Sequence, residues 1–446
     1  MNAMRDLESR FDRAAGALLG ALKAGEELSL EFAGESSLFM RFNQARVRQI
    51  GAVEDAMVDF KFCRDGRTSR RILTLTGEAG RDAELAARAL EAARAEAALL
   101  PVDPYQVLPA AGGSSSETFP GKLPDPDAAP KEVLGPAAGM DFVGIHAQGA
   151  VARGAANSKG ARHWFAAENF STDWSAWLPS GKAVKSCYAG REWDSGEHAR
   201  RLQAARPLLE GVAKPDKVLE PGSYRAYVSP GALEELMVFF SWRGLSEREF
   251  REGESSFMAL REGRKSLSPK FALTQDFTLG VEPRFNELGE VAPERLVLID
   301  GGRLASSLVS ARTALQYGVA SNAAPEHEGL RSPAVAPGGL AEADALKALG
   351  TGLYVSNFHY ANWSDFENAR VTGMTRFACF WVEGGKIVSP IKDMRFDESL
   401  YDLFGANLED LTRERSLIPA VGSYGMRDIG GMLLPGLLVN GLRFTL

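Results

Sequence analysis

Cysteine and histidine are the residues most able to bind a metal or attack a substrate, and both are scarce in this chain. The sequence holds five histidines and three cysteines among 446 residues. Cys63, Cys187 and Cys379 lie far apart and form no CxxC pair, which indicates packed, reduced thiols in a cytoplasmic protein. No GxSxG, GxGxxG or GxxxxGKS/T pattern is present. The sequence therefore shows no nucleophile elbow, dinucleotide fingerprint or phosphate-binding loop.

His198 lies among carboxylates in the segment REWDSGEHARR, where it follows Glu192, Asp194 and Glu197. One interpretation is a carboxylate–histidine cluster that binds a cation. The other is a polar loop that enters a helix, because acidic residues suit the positive end of the helix dipole. The ligand spacings typical of zinc are absent, which favours the helix start.

A second histidine, His359, has aromatic and polar neighbours in the segment SNFHYANWSDFENARVTGMTR. Tyr360, Asn362, Asp365 and Arg376 follow it closely. Aromatic and polar groups at strand ends often line a binding surface. The same segment is also typical of two strands joined by a loop, with a histidine whose ring is hydrogen-bonded. Both interpretations stay open at this point.

Composition and charge limit the classes of function. Hydrophobic residues make up 45% of the chain, which is enough for sizeable cores in two or three domains. The net charge of −7 and the lack of a basic stripe argue against a nucleic-acid binder. No stretch reaches the roughly 18 consecutive apolar residues that a membrane span needs. We therefore expect a cytoplasmic protein that binds neither nucleic acid nor membrane.

The first half of the chain contains two segments with strand and helix patterns, separated by a stretch without them. Residues 1–100 are predicted to form an α+β domain, because alternating segments such as ELSLEF and AMVDFKF predict an antiparallel sheet and an Ala/Glu/Arg-rich stretch predicts a covering helix. Residues 101–139 are rich in Pro, Gly, Ser and Ala and are interpreted as a connection between domains. Residues 140–223 are predicted to form a central β-rich domain that ends in a polar helix.

The last unit, residues 224–446, is predicted to be a mostly antiparallel β domain with helices. It opens with SPGALEELMVFF, in which Ser229 can cap a helix and Pro230 suits its first position. Near its end, VEGGKI predicts a hairpin with Gly384 and Gly385 at the turn. The predicted fold class of the whole chain is α+β.

Three stretches of this last unit carry a family resemblance. They are VTGMTRFACFWVEGGKIVSPIKDMRF, ERLVLIDGGRLASSLVSARTALQYGVASN and PAVGSYGMRDIGGMLLPGLLVNGL. The first resembles the C-terminal signature of the TldD/PmbA (TldD/TldE) family of peptidase-related proteins, and the other two resemble a further segment and the glycine-rich ending of that family. The N-terminal strands followed by an Ala-rich helix are also similar to the family's first domain.

The resemblance implies where a zinc site would lie. Active members of the family carry HExxxH on the helix that begins the C-terminal domain, and a cysteine from the glycine-rich ending is a further ligand. Placed on this chain without gaps, the first histidine falls on Val238, the glutamate on Phe239, the second histidine on Arg243 and the cysteine on Tyr424. Valine offers no lone pair, phenylalanine accepts no proton, and a guanidinium repels Zn²⁺. We therefore expect no zinc and no other cofactor in this chain.

This pattern resembles the metal-free PmbA/TldE side of the family. The resemblance implies a homodimer, or a heterodimer with a zinc-bearing TldD-type subunit in which zinc belongs to the partner, and an unfolded peptide that binds by strand addition. The expected role is a non-catalytic subunit in proteolysis or peptide maturation, with no intrinsic activity. The candidate peptide-binding residues are Arg243, His359, Tyr360, Asn362, Arg376 and Tyr424.

Two alternatives remain beside that role. One is a hydrolase that uses residues outside the family motif, such as His359 with Asp365 and Tyr360. The other is a structural or binding homodimer that has kept only the fold. For Arg243, the alternatives are a fork that binds a carboxylate or carbonyl group and a surface or interface salt bridge.

Overall fold

The computed structural model describes residues 2–445, which form two β-sheets with helices packed on them. Strands account for 42% of the structure and helices for 24%, so the predicted α+β class is confirmed. One sheet has seven strands and is built from the first half of the chain, whereas the other has thirteen strands and is built from the second half. No helix among the described residues is long and apolar enough to cross a bilayer.

The first half of the chain supplies seven strands and four helices. The strands are β1 (Glu27–Asn43), β2 (Arg46–Arg64), β3 (Arg67–Thr74), β4 (Ser114–Phe119), β5 (Asp141–Asn157), β6 (Arg162–Trp177) and β7 (Ala183–Gly190). The helices are α1 (Asn2–Gly20), α2 (Ala79–Ala97), α3 (Ala129–Leu134) and α4 (Ser195–Val212). The sheet order is β3-β2-β1-β5-β6-β4, and β7 also pairs with β6.

One face of this sheet is buried because apolar residues alternate along its central strand. Leu28, Leu30 and Phe32 of β1 are buried on the face that α1 and α2 cover. The rings of Phe11 on α1 and Trp164 on β6 stack there, 5.6 Å apart. Farther along the sheet, α3 and α4 pack over a second apolar cluster. Intervening β1 residues such as Ser29 and Ser37 point to the other face of the sheet.

Strands from both predicted N-terminal units share this sheet. β1 pairs antiparallel with β5 from Ser29 opposite Asn157 to Phe42 opposite Gly144. The strands of the predicted central domain, 140–223, are therefore continuous with those of residues 1–100. The predicted connection, 101–139, contributes β4, which runs parallel to β6. The domain boundaries as folding units stay a prediction.

The second half supplies thirteen strands and six helices. The strands are β8 (Gly222–Val228), β9 (Leu273–Asp276), β10 (Arg295–Asp300), β11 (Arg303–Leu304), β12 (Pro333–Val335), β13 (Gly352–Val355), β14 (Asn357–Asp365), β15 (Arg370–Arg376), β16 (Phe380–Glu383), β17 (Lys386–Pro390), β18 (Arg395–Ser399), β19 (Leu408–Pro419) and β20 (Gly431–Phe444). The helices are α5 (Pro230–Met237), α6 (Glu247–Glu252), α7 (Met258–Arg261), α8 (Ala311–Tyr317), α9 (Ala345–Leu349) and α10 (Leu400–Leu403).

This sheet is organised around β20, which pairs with β8, β12, β18 and β19. The order along the sheet is β11-β10-β9-β12-β20-β8-β13-β16-β17, while β15 links β14 to β18. The predicted VEGGKI hairpin is confirmed as β16 and β17. Helix α5 begins where the sequence predicts, after Ser229, and a single 3₁₀ turn, Val238–Phe240, follows it. Beyond this turn, Arg243 adopts a left-handed backbone conformation, with φ of 55°.

Candidate functional site

Helix α5 is held at its N-terminus by hydrogen bonds from Ser229. The Ser229 hydroxyl accepts a hydrogen bond from the amide of Ala232 and donates one to the carbonyl of Ser356 at 2.6 Å. Leu233, Leu236 and Met237 are buried in the C-terminal core. These contacts fix which face of the helix remains free, and that face lies along a cavity between the two halves of the chain.

The cavity beside α5 has a volume of about 200 Å³ and is lined by both sheets. We call it the α5 cavity. Its lining includes Asp173, Val184, Lys185, Ser186, Cys187, Arg201, Ser229, Pro230, Gly231, Glu234, Glu342, Asn357, Ser416, Leu417, Ile418 and Pro419. The first six belong to β6, β7 and α4 of the first half, and the others belong to the second half.

Two strand edges meet at the α5 cavity. β7 pairs with β6 in the first sheet, and Ser416–Pro419 of β19 pairs with β20 in the second sheet. In the described sheets, neither β7 nor this part of β19 pairs with a second strand. An edge strand presents backbone N–H and C=O groups that another extended chain can pair with.

The charges of the cavity are only partly compensated. Lys185 forms an ion pair with Asp173 at 3.1 Å, and Arg201 binds Glu197 at 2.7 Å. Glu234 makes no hydrogen bond or ion pair with any residue that the structure describes. Its half-buried position raises the pKa of its carboxyl to about 7. Burial likewise raises the pKa of the Cys187 thiol to about 12, so this thiol is protonated near neutral pH.

The predicted peptide-binding residues on β14 lie outside the α5 cavity. His359, Tyr360 and Asn362 fall where β14 is irregular: its pairing with β15 shifts between His359 and Asn362. Tyr360 is 80% exposed, with φ of 54°, and its ring lies 4.1 Å from that of His359. The side-chain oxygen of Asn362 accepts a hydrogen bond from the amide of Trp363.

Two further predicted residues also lie apart from the cavity. The Asp365 carboxylate accepts a hydrogen bond from Asn368 at 2.7 Å, which lowers its pKa. Among the described residues, the carboxylate of Asp365 forms hydrogen bonds with Asn368 and not with His359. Arg376 borders a different cavity of about 300 Å³, and its guanidinium lies 5.3 Å from the ring of Phe377.

The segment around His198 is a helix start. Asp194 caps α4 by accepting hydrogen bonds from the amides of Gly196 and Glu197 at 2.8 and 3.1 Å. The His198 ring is fully buried against Trp193, and its Nε2 donates to the carbonyl of Val133 at 2.9 Å. Burial lowers the pKa of His198, so this histidine is a neutral core residue.

The sequence of the second half matches the family model described as the PmbA/TldA metallopeptidase C-terminal domain over residues 221–446. The chain belongs to the TldD/PmbA family. No curated protein matches the sequence. The TldD/PmbA fold extends over the first half as well, because the matching crystal structures cover nearly the whole chain.

Three solved structures illustrate this likeness. TldE from Thermococcus kodakarensis is 15% identical, with a TM-score of 0.75 over 99% of this chain and 100% of that one. A protein from Thermotoga maritima described as a candidate modulator of a DNA gyrase is 15% identical, with a TM-score of 0.72 over 98% and 100%. A protein of the same description from Bacteroides thetaiotaomicron is 16% identical, with a TM-score of 0.72 over 98% and 99%.

The positions assigned to the TldD/PmbA zinc motif are occupied by packing and ion-pairing groups. Val238 is 44% exposed, and Phe239 is buried with its ring 4.8 Å from that of Trp363. Arg243 binds Glu254 at 3.0 Å, and its guanidinium also lies 4.3 Å from the ring of Phe366. Arg243 therefore forms a salt bridge within this chain, and its predicted contact with a peptide stays a prediction.

Tyr424, at the position assigned to the family cysteine, points fully into solvent. These four residues therefore do not fit a zinc ion. Within residues 2–445, no group of three or more His, Cys, Asp or Glu residues could hold a metal.

The glycine-rich ending is attached to the first sheet by a buried arginine that sequence reasoning missed. Arg427 is 5% exposed, and its guanidinium donates to Ser37 at 3.2 Å and to Asn169. Its backbone amide donates to a carboxylate oxygen of Glu35 at 3.1 Å. The segment's glycines were visible in the sequence, but nothing local indicated that an arginine would be buried in the other half of the chain.

Proposed function

We propose that this chain is a non-catalytic TldD/PmbA subunit that binds an extended, unfolded peptide and assists proteolysis or peptide maturation by a zinc-bearing partner. The observation that carries the proposal is the state of helix α5. Its end carries Val238, Phe239 and Arg243 in place of ligands, while the α5 cavity lies along its N-terminal part, at Pro230, Gly231 and Glu234. A chain with this arrangement can hold a peptide without activating water on a metal.

Peptide binding is supported by the strand edges at the α5 cavity. An extended peptide can add to an exposed sheet edge through main-chain hydrogen bonds, and alternate side chains then enter neighbouring pockets. β7 and the Ser416–Pro419 stretch of β19 both line the cavity and offer such edges there. Main-chain pairing tolerates many sequences, which suits an unfolded substrate.

Association with another subunit is supported by exposed apolar side chains near the end of α5. Val238, Trp242 and Phe366 are each more than 40% exposed, and the guanidinium of Arg243 lies over the ring of Phe366. Exposed tryptophan, phenylalanine and arginine side chains are typical of interface centres. The partner is a second copy or a TldD-type subunit, and three unpaired cysteines suit a cytoplasmic assembly.

Metal analysis beside a cleavage assay tests the proposal. The purified chain is dialysed with and without Zn²⁺ and analysed by mass spectrometry for bound metal. Cleavage of casein and of an unfolded peptide is then measured with the chain alone and with a co-purifying relative. We expect no stoichiometric zinc and no cleavage by the chain alone, together with faster cleavage when it is added to the relative.

Other results would support a different function for this chain. Stoichiometric zinc with chelator-sensitive cleavage by the isolated chain would overturn the assignment of Val238, Phe239 and Arg243 to the motif. Metal-independent cleavage that H359A abolishes would establish the hydrolase alternative. Failure to bind any unfolded peptide, alone or with the relative, would leave only the structural role.

A further inference from the structure

The α5 cavity carries negative charge that the protein itself does not neutralise. Lys185 is engaged by Asp173, and Arg201 by Glu197. Glu234 and Glu342 also line the cavity, and neither side chain has an ion pair with a described residue. A ligand group that enters this space therefore meets two free carboxylates, while the two neighbouring cations are already engaged.

Glu234 is the better placed of these two carboxylates to recognise a ligand. It lies on α5, whose position is fixed by the Ser229 cap and by buried side chains, whereas Glu342 lies in a short exposed turn. Glu234 is half-buried in the cavity wall, so its charge is less screened than that of a surface carboxylate. A cation that enters the cavity would supply the partner that the protein does not provide.

We infer that the α5 cavity binds a basic side chain, lysine or arginine, of the extended peptide, and that Glu234 selects it. This inference rests on the peptide binding proposed above. A peptide paired with either strand edge places every second side chain on the same face, and the cavity lies directly beside both edges. Its volume of about 200 Å³ and its free carboxylates suit a single long cationic side chain. Glu234 thus acts as a specificity-determining residue.

Binding of matched peptides tests this inference. Fluorescently labelled unfolded peptides are acetylated and amidated, so that they carry no terminal charge, and differ only at one position, which is Lys, Arg, Gln or Glu. Affinities are measured by anisotropy with the full chain, or with its co-purified assembly, at pH 8, where Glu234 is ionised. For the wild type we expect the Lys and Arg peptides to bind about tenfold more tightly than the Gln peptide.

Two isosteric variants locate the origin of this preference. E234Q should bind the Gln peptide as tightly as the wild type but should lose the preference for Lys and Arg, to within about twofold. E235Q is the matched control, because Glu235 is the next residue on the same helix and does not line the cavity. It should retain the full preference. Circular dichroism confirms that both variants are folded.

The outcomes separate this inference from the proposed function. Equal affinity of the wild type for all four peptides, or a preference that survives in E234Q, would overturn the inference and leave peptide binding intact. Lack of binding by every peptide would refute the proposed function and this inference with it. A fifth peptide has a free N-terminus and no basic side chain. If it alone bound in a Glu234-dependent manner, the cavity would recognise a terminal amine instead.

Discussion

Replacing Glu247 by glutamine should loosen the region that follows the α5 helix. Glu247 lies in the first turn of α6 and is 4% exposed. Its carboxylate accepts hydrogen bonds from Arg251 at 2.7 Å, from Arg261 at 2.6 and 2.9 Å, and from Ser307 at 2.7 Å. One carboxylate therefore joins α6 to α7 and to the chain before α8. Glutamine has the same shape, but it lacks the charge and has only one acceptor oxygen.

The size of the effect follows from the pKa of Glu247. Burial alone would raise this pKa, but the hydrogen bonds from Arg261, Ser307 and Arg251 outweigh burial and lower the pKa from 4.5 to about 2. That difference corresponds to about 3 kcal/mol of stability. Because the pKa is depressed in the folded state, the contribution is complete above about pH 4.5. It is lost as the pH falls towards 2.

Hydrogen exchange measures this loss locally, which matters because a chain of this length need not unfold in one step. At pH 7 we expect amides of α6 in E247Q to exchange about a hundredfold faster than in the wild type. E252Q is the control, since Glu252 is exposed on the same helix and its side chain makes no hydrogen bond with a described residue. Its exchange should stay within about twofold of the wild type.

A pH series completes the test. The difference in urea midpoint between the wild type and E247Q should be constant from pH 7 to about pH 5 and shrink as the pH is lowered to 3. Equal exchange in E247Q and E252Q would refute the assigned role of the carboxylate. A difference that does not change with pH would show that the charge of Glu247 contributes nothing.

Three other substitutions test contacts elsewhere in the fold. R427A should lower the free energy of unfolding, measured in urea, by about 3 kcal/mol, because it removes buried charged hydrogen bonds between the two halves. The exposed control R413A should lower it by at most about 0.5 kcal/mol. Equal losses in the two variants would contradict the role of Arg427 in joining the two halves. D194A should destabilise the start of α4 by about 1 kcal/mol through loss of the N-cap, which amide hydrogen exchange in that turn measures. Unchanged exchange would contradict the capping role of Asp194. F239E should unfold the end of α5 and lower the free energy of unfolding by about 3 kcal/mol or more, which a lower melting temperature would reveal. A melting temperature equal to that of the wild type would show that the site tolerates the family's glutamate.

Local patterns predicted the elements whose structure depends mainly on their own residues. The Ala-rich helix α2 and the glycine-turn hairpin of β16 and β17 both follow from local composition or turn chemistry. The start of α5 follows from its cap. The positive φ of Arg243 does not follow from local patterns, because it is a property of the packed loop and is unusual for an arginine.

Local patterns could not predict which strands pair when they lie far apart in the sequence. β4 has the polar sequence SSSETF and forms a strand only because it pairs with β6. The α5 cavity has the same origin: its lining comes from β6, β7 and α4 in one half and from α5 and β19 in the other. The sequence singled out Arg243 and His359 by their chemistry, whereas Glu234 showed no distinctive spacing and gains its position from the packing of the first sheet against α5.

The central position of β20 has a consequence for synthesis of the protein. β8, at the beginning of the second half, pairs with β20, with Val228 opposite Leu437. All strands of the first sheet are synthesised before β8, whereas the pairing of β8 with β20 must wait for nearly the entire second half. At roughly 5–20 residues per second, that wait is on the order of 10 seconds or more. Until β20 emerges, the nascent second half exposes unpaired strands, and chaperones that recognise such segments are expected to act on this half rather than on the first.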